Sequence, residues 1–474
     1  MPPIHPKRLT KRTPYMLFRH VKIIGIVFLA PIVFISCQRH FSEKCVEAHL
    51  AAIKAVGYPI SLEELGNWKS LSPSTMHMVN TIQSASFSDT PENVIKTIST
   101  ARLNALENIF IQEGLSTNIS DAWDSLNMTG VLDDSGITVL RKHLDSVSAS
   151  LELLLGTSDI DIERFPLNYL QGYDLELPHL VKLRSASRLL RGAAYMAALD
   201  NNSERAYRCI LAGLQIIRSL DLELVSVSQG VKIACNGIMF SGLQETLGVA
   251  EYSDAQLVRL HHAFLRGHDQ FALRNILVSE RVFGLSAYDH VSDFMEFEGI
   301  MGRSNLPKTM SVLVKMADIA GYYHGDREHF LDVMDKLIES ATLPYGEFSS
   351  LIHRLSGQFD RSLFLPSISK EFLTFLSEFP AAVATNQARM YLASTACAIE
   401  RYRLANGAPP DTLTALVPAY LPAPPMDPFD SQPMRYRREG TAYTLYSVNV
   451  DGVDGGGVAG ENAREGDLVF TRRP

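Results

Sequence analysis

Seven prolines between Pro409 and Pro428 split the end of this chain into two kinds of structure. Proline fixes φ and has no N–H, so no helix interior can contain Pro409, Pro410, Pro418, Pro422, Pro424, Pro425 and Pro428. Before them, Pro380 to Ala405 reads as one helix, with Met390 or Tyr391, Ser394, Ala398 and Tyr402 along one side. Asn406-Gly407 ends it, because both residues tolerate the left-handed conformation of a C-cap. After the prolines, Met434 to Arg438 and Ala442 to Val448 alternate as two short strands around Glu439-Gly440, a hairpin signal. Leu468 to Arg472 supplies a third strand. The loop Asp451-Gly-Val-Asp-Gly-Gly-Gly457 places carboxylate oxygens on a backbone free to turn, which suits a hard cation. It is not an EF-hand, since Val453 and Asn462 stand where that loop needs acids.

The upstream chain, from about Ser42 to Phe379, reads as helix after helix. Thr90-Pro-Glu opens one, with Val94, Ile98, Ala101, Ala105 and Ile109 recurring at steps of three and four beside Leu106. Ser253-Asp254 opens another, with Leu257, Leu260 and Phe264 on one face. Between Leu180 and Leu220 two helical stretches flank Asp200-Asn-Asn-Ser-Glu204, a polar break that can end one helix and cap the next. In this hairpin Ala194, Ala206, Ile210 and Gly213 fall on the small and apolar positions of a tetratricopeptide-like pair. Ala197 and Arg218 depart from that pattern, and no second copy follows at the same period. The fold class expected is mainly α: an irregular, solenoid-like helical domain at 38–379, then a small α+β domain at 380–474. Gly and Pro interrupt the helical pattern near 156–178, a sub-boundary within the helical region.

The C-terminal series resembles the globular domain of the major pseudopilins of type II secretion. The matching residues are the Tyr402, Asn406, Gly407 and Pro409 corner, Tyr420-Leu421 before Asp427-Pro428-Phe429, the hairpin residues Tyr436, Tyr443, Leu445 and Ser447, and Asp451-Gly452. The resemblance implies a calcium-binding loop. Asp451 and the carbonyl of Val448 would be ligands, Glu461 and Asp467 compete for a later position in a stretch that is longer here, and Asp454 is a further candidate. A plain Gly-rich turn without metal is the alternative. True pseudopilins open with a cleavable leader and an apolar filament helix. Here the corresponding helix carries Thr385, Asn386, Gln387, Arg389 and Glu400, too polar to span a bilayer, and continues an upstream chain. The module is not expected to polymerise. The order of Ile60-Ser-Leu-Glu-Glu-Leu-Gly-Asn-Trp68, the hairpin and this module also resembles a group of exported bacterial proteins, a resemblance that carries no activity.

The first 36 residues hold Lys7, Arg8, Lys11, Arg12, Arg19 and Lys22 and no acid, while the whole chain has a formal charge of −8. The remainder is therefore strongly acidic, which argues against a nucleic-acid partner. The basic head precedes an apolar stretch from Ile23 to Cys37, the pattern of an export signal at 1–37. Its 15 residues would span about 22 Å as a helix, against roughly 30 Å of hydrocarbon. Three readings stand: an uncleaved anchor in which Arg19 and Lys22 snorkel, a lipoprotein acylated at Cys37, or a released protein. Phe34 departs from the lipoprotein pattern and also spoils the ordinary cleavage site. The basic residues place the N-terminus in the cytoplasm and the body outside, in the periplasm or cell envelope. Cys45, Cys209, Cys235 and Cys397 remain, with a Cys209–Cys235 bridge or buried free thiols both open.

No nucleophile elbow, zincin, Walker or dinucleotide motif occurs. Ser367-Ile-Ser-Lys370 fits Ser-x-x-Lys but lacks companion motifs. His324, Asp326, Glu328 and His329 could gather near a helix start as a metal site, or be ordinary N-terminal charges. His261, His262, His268 and Asp269 read as an exposed helical face, and Trp68 and Trp123 as core anchors. No catalytic residue is assigned. The expected function is a membrane-tethered binding or scaffold protein with a protein or envelope-polymer partner. An exported hydrolase using dispersed acids or the His324–His329 group is the alternative, and an accessory part of a secretion machine the third reading.

Overall fold

The computed structural model describes residues 39–68, 131–156, 163–165, 167–291, 322–357, 367–460 and 464–473, with short pieces at 96–97, 315 and 317–318. The export segment with Cys37, the residues around Thr90 and Ala101–Ile109, Trp123, and Glu461 lie outside these. The described chain is mainly helical, with one small antiparallel sheet near the C-terminus.

The helices, in order, are α1 (39–55), α2 (Leu62–Asn67), α3 (Asp134–Ser146), α4 (Ser148–Leu155), α5 (Pro178–Leu199), α6 (Ser203–Ile217), α7 (Ser226–Leu247), α8 (Asp254–Arg266), α9 (Ala272–Asp289), α10 (Tyr322–Glu339), α11 (Tyr345–Ser356), α12 (Ile368–Leu376) and α13 (Phe379–Asn406). Lys96–Thr97 (β1) and Glu163–Arg164 (β2) pair in parallel. A strand at β1 overturns the helix expected through Val94 and Ile98 at those two positions. Helical spacing of apolar residues is a local signal, and strand pairing with a segment far along the chain overrides it.

Several predicted ends are capped as the residues require. Ser253 forms a capping box with Gln256 at the start of α8, and Leu257, Leu260 and Phe264 are buried. Asn202 caps α6 by accepting from the Arg205 N–H, so α5 and α6 flank the polar break. Gly407 ends α13 at φ 79°. Cys209 and Cys235 are both buried free thiols, which settles the bridge question in favour of thiols.

Two cores result. One is built by α4 to α8 with α13 and the sheet: Leu189, Ile210, Met239 and Leu260 share it with Ala396, Leu445 and Phe470. The other is built by α9 to α12, with Phe330, Met334, Phe348 and Phe372 at its centre. The sheet consists of β3 (Arg435–Glu439), β4 (Ala442–Ser447) and β5 (Leu468–Arg472), with β4 in the middle. Leu445 lies opposite both Tyr436 and Phe470. Phe470 meets Phe240 of α7 edge-on at 5.4 Å between ring centres. The sheet thus closes onto the helical body through its edge strand.

Candidate functional site

Where α13 passes along the helical body, its outer side forms one wall of a cleft of about 720 Å³. That size is typical of ligand sites, roughly 300–1,000 Å³. Gln387, Tyr391, Ser394 and Thr395 come from α13, one helical turn apart. Packed against α13, the end of α8 and the connection to α9 add His261, His268, Asp269 and Phe271 to the lining. The segment before α11 adds Leu343, Pro344 and Tyr345, and the proline connection adds Leu421, Pro425 and Met426. Prolines suit this position: a segment that cannot be helix or strand interior can line a concave surface without leaving N–H groups unpaired.

The α8–α9 histidine group, expected as an exposed face, is corrected here. His262 is exposed, but His261 is buried, and its Nδ1 bonds the Ser394 carbonyl at 2.9 Å. Because a carbonyl only accepts, Nδ1 carries the proton. The packing of α13 over α8, invisible in local sequence, is what covers His261. Nearby, Asn236 donates to Asn386 at 3.0 Å and to the Gly267 carbonyl at 3.2 Å, and Asn386 donates to the same carbonyl at 3.1 Å. This bonded set ties α13 to α7 and to the end of α8, and so holds the cleft walls together.

Few charges face the cleft. Among the described residues no Lys, Arg or Glu lines it. Asp427 accepts the N–H groups of Phe429 and Val448, the Ser447 hydroxyl and Arg435, so it is consumed by its own module. Asp269 accepts the Phe271 N–H at 2.9 Å, and burial raises its pKa. Burial, with Lys232 adding to it, pushes the His268 imidazole down to about 4. His268 packs edge-on against Tyr391 at 5.5 Å, and Gln387 donates to the Tyr391 hydroxyl at 3.3 Å. The Ser394 hydroxyl donates to the Tyr391 carbonyl, so no serine–histidine dyad forms. Three large apolar side chains of the lining are exposed: Leu265 (36%), Leu343 (40%) and Met426 (48%).

The His268 shift carries a pH prediction. A histidine whose folded pKa lies below its ordinary 6.5 binds fewer protons than in the unfolded chain between pH 6.5 and about 4. Its contribution is complete above pH 6.5 and is lost as pH falls toward 4. Asp269 changes in the opposite sense, so His268→Gln isolates the histidine. Wild type is expected to lose up to about 3 kcal/mol more than His268→Gln between pH 7 and pH 4. Thermal unfolding across that range checks it, and parallel curves for the two proteins would refute it.

The other sequence-predicted groups are used structurally. Ser367 caps α12, accepting the Lys370 N–H at 3.1 Å while its hydroxyl donates to Asp326 at 2.7 Å. Asp326 also accepts the Tyr288 hydroxyl at 2.8 Å, inside the second core. His324 and Glu328 face the other way, toward Glu43 and Ser42 of α1. The His324–His329 residues therefore do not converge, and Trp68 donates to the Gly57 carbonyl while packing on Tyr58.

In the C-terminal loop, Asp467 accepts the N–H groups of Gly455, Gly457 and Val458 at 3.2, 2.6 and 3.2 Å. Asp451 accepts those of Val453 and Gly466 at 3.0 and 2.7 Å. Asp454 accepts from Gly456 and from the Tyr446 hydroxyl, with the Arg435 Nε 3.5 Å away. Val448 is buried, and its N–H bonds Asp427. These are hard oxygens of the kind calcium takes, but each carboxylate is turned onto the loop's own N–H groups. Among the described residues no three His, Cys, Asp or Glu gather as a metal site. Among them, too, no helix is long and apolar enough to cross a membrane.

Comparison with known proteins gives no match: no family model, no curated protein and no solved structure is similar to this chain.

Proposed function

We propose that this chain is a binding protein of the cell envelope, tethered through its N-terminal segment, whose cleft along α13 takes an uncharged and largely apolar part of a protein or envelope-polymer partner. The observation that carries this is the lining. It has aromatic and proline walls, an apolar rim, neutral hydrogen-bonding groups in Gln387, Tyr391 and His268, and carboxylates already bonded elsewhere. A charged ligand would lose its hydration and meet no counter-charge. The tether rests on the basic and apolar pattern of residues 1–37. The pseudopilin-like reading of residues 380–474 rests on the sequence resemblance, together with a helix, proline connection and three-stranded sheet in the expected order. The repeat-like reading of the body rests on the α5–α6 pair alone.

Calcium belongs to this proposal as an occupant of the Asp451 loop that must compete with the N–H groups held by Asp451 and Asp467. The alternative, a hydrolase, has less support: among the described residues the cleft sets no nucleophile beside a base, and the Ser42–Glu328 and Ser367–Asp326 pairs of the His324–His329 region are contacts that join α10 to α1 and to the start of α12.

Leu343→Asp and Met426→Asp test the binding reading, because both positions are exposed and the fold should survive them. The detergent-solubilised full-length protein is crosslinked and captured in calcium and in chelator. Wild type should recover a defined envelope component, and the double variant about tenfold less, at an unchanged melting temperature. Equal recovery by the two proteins would sink the cleft as the site. Loss of recovery in chelator alone would assign the Asp451 loop a part in binding.

A further inference from the structure

The apolar stretch of the export signal ends at Cys37, and α1 begins two residues later, at Arg39. From Arg39 to Ala55 the helix holds neither glycine nor proline, so it runs unbroken for about 25 Å. One side of it belongs to the body. Ser42 Oγ lies 3.0 Å from the His324 carbonyl and 3.1 Å from Glu328, and His49 Nε2 meets Asp335 at 2.6 Å. Val46 and Ile53 are buried with Leu285 and Leu331. Ser42, Val46, His49 and Ile53 recur at steps of four and three, so they form one stripe that fixes α1 to α9 and α10.

The opposite side is open. Phe41, Lys44, Ala48, Ala51, Ala52 and Ala55 are all exposed. Val56 (71%) and Phe41 (70%) are the two most exposed large apolar side chains among the described residues. Phe41 stands in the first turn of α1 and Val56 just past the last. Phe41 is also the one exposed residue among the described Phe, Tyr and Trp. The strip carries a single charge, Lys44, whose stem can run along an apolar surface while its ammonium stays in water. On the flanks Arg39 bonds Glu43 at 3.0 Å and Lys54 bonds Glu64 at 2.5 Å, beside an exposed Glu47.

We infer that this outward strip of α1 rests on the membrane surface and seats the body there in one fixed orientation. The inference rests on the tether of the proposed function, which determines where α1 starts. Whether the stretch ending at Cys37 spans the bilayer or Cys37 carries an acyl chain, Arg39 lies at most about 7 Å of extended chain from the lipid. A helix held that close needs little affinity of its own, because the tether makes its docking intramolecular. Phenylalanine and valine at the two ends, with alanines between, suit the boundary of headgroups and acyl chains. A second copy of the chain fits less well. A strip about 25 Å long and 10 Å wide offers each copy about 250 Å², and a stable interface needs roughly 1,000 Å² in total. Because the inner stripe binds the same helix to α9 and α10, docking makes the tether a rigid mount rather than a leash.

The test uses the full-length protein reconstituted in vesicles of phosphatidylcholine and phosphatidylglycerol, with or without lipid brominated on the upper acyl chain. Phe41→Trp and Ala51→Trp put a fluorophore at two exposed positions of the strip, and wild type supplies the background of Trp68 and Trp123. Ala55→Trp replaces either variant if it does not fold. Brominated lipid is expected to quench about half of the emission that each substitution adds, because both positions lie at the interface. Flotation with the vesicles reads the tether separately. Protein that floats with neither variant quenched keeps the tether and overturns the docked strip, as does quenching of Phe41→Trp without Ala51→Trp. Protein that does not float loses the tether, and the docked strip with it. Crosslinking to a dimer, with the added emission shifted to the blue but unquenched, would assign the strip to a second copy and overturn the membrane reading.

Discussion

Asp427→Ala is expected to cost the C-terminal module about 3–5 kcal/mol, the range for breaking a buried, hydrogen-bonded charge pair. Asp427 is 1% exposed and joins four partners from three places in the module. It accepts Phe429 N–H within its own turn, Ser447 Oγ and Val448 N–H at the end of β4, and Arg435 Nη1 at 3.0 Å on β3. Removing the carboxylate leaves two backbone N–H groups without acceptors and weakens the hold on Arg435, which Asp430 still bonds. The Asp430 carboxyl is kept below its ordinary range chiefly by that same guanidinium, so part of the charge balance survives. Asp427→Asn keeps one acceptor oxygen and should cost less. The measurement is limited proteolysis together with thermal unfolding. The Asp427→Ala module should be cleaved between α13 and β5 under conditions where wild type resists. A melting temperature within a degree of wild type would show that Asp427 merely decorates the turn.

Asp335→Ala should be comparably damaging in the second core, again by about 3–5 kcal/mol. Asp335 on α10 bonds Arg281 Nη1 at 2.5 Å and His49 Nε2 at 2.6 Å, so it ties α1 to α9 and α10. Arg281 is 1% exposed, and its Nε and Nη2 already lack partners. The Tyr58 ring, 5.5 Å from its guanidinium carbon, cannot replace a carboxylate. Without Asp335 the guanidinium is an uncompensated buried charge. The double variant Arg281→Met with Asp335→Ala should recover most of the loss, since an apolar side chain of similar length asks for no counter-charge. Thermal unfolding of the two single variants and the double variant gives the cycle directly. Additive losses would mean the pair is not coupled in the way the contact implies.

Local residue chemistry was a sound guide wherever structure is decided within a few residues. The Ser253 capping box, the Asn202 cap, the Gly407 terminus of α13 and the Glu439-Gly440 hairpin all lie where the residues place them. Each is a contact between near neighbours in the chain, so the residues that make it are legible together. The Ser-x-x-Lys match shows the limit of such reading. Ser367 and Lys370 are indeed one helical turn apart, but the turn is an N-cap, and the partner that occupies Ser367 is Asp326, distant in sequence.

The candidate site was mostly illegible for the same reason. His261 and His268 stood out as a cluster, yet only the packing of α13 on α8 buries the first and makes the second a wall of the cleft. Among the loop acids, Asp451 and Asp467 were visible as oxygen donors, but not the backbone N–H groups they hold.

The sequence by itself determined a mainly helical chain, a small antiparallel sheet at its end and a proline connection between the two. These follow from backbone sterics, capping and periodicity, which act over one or two turns. Tertiary structure alone decided that the last helix completes the core of the body, that a cleft opens along its outer side, and which charges are left without partners. Those outcomes depend on which surfaces exclude water against each other across hundreds of residues, and no short-range pattern encodes that choice.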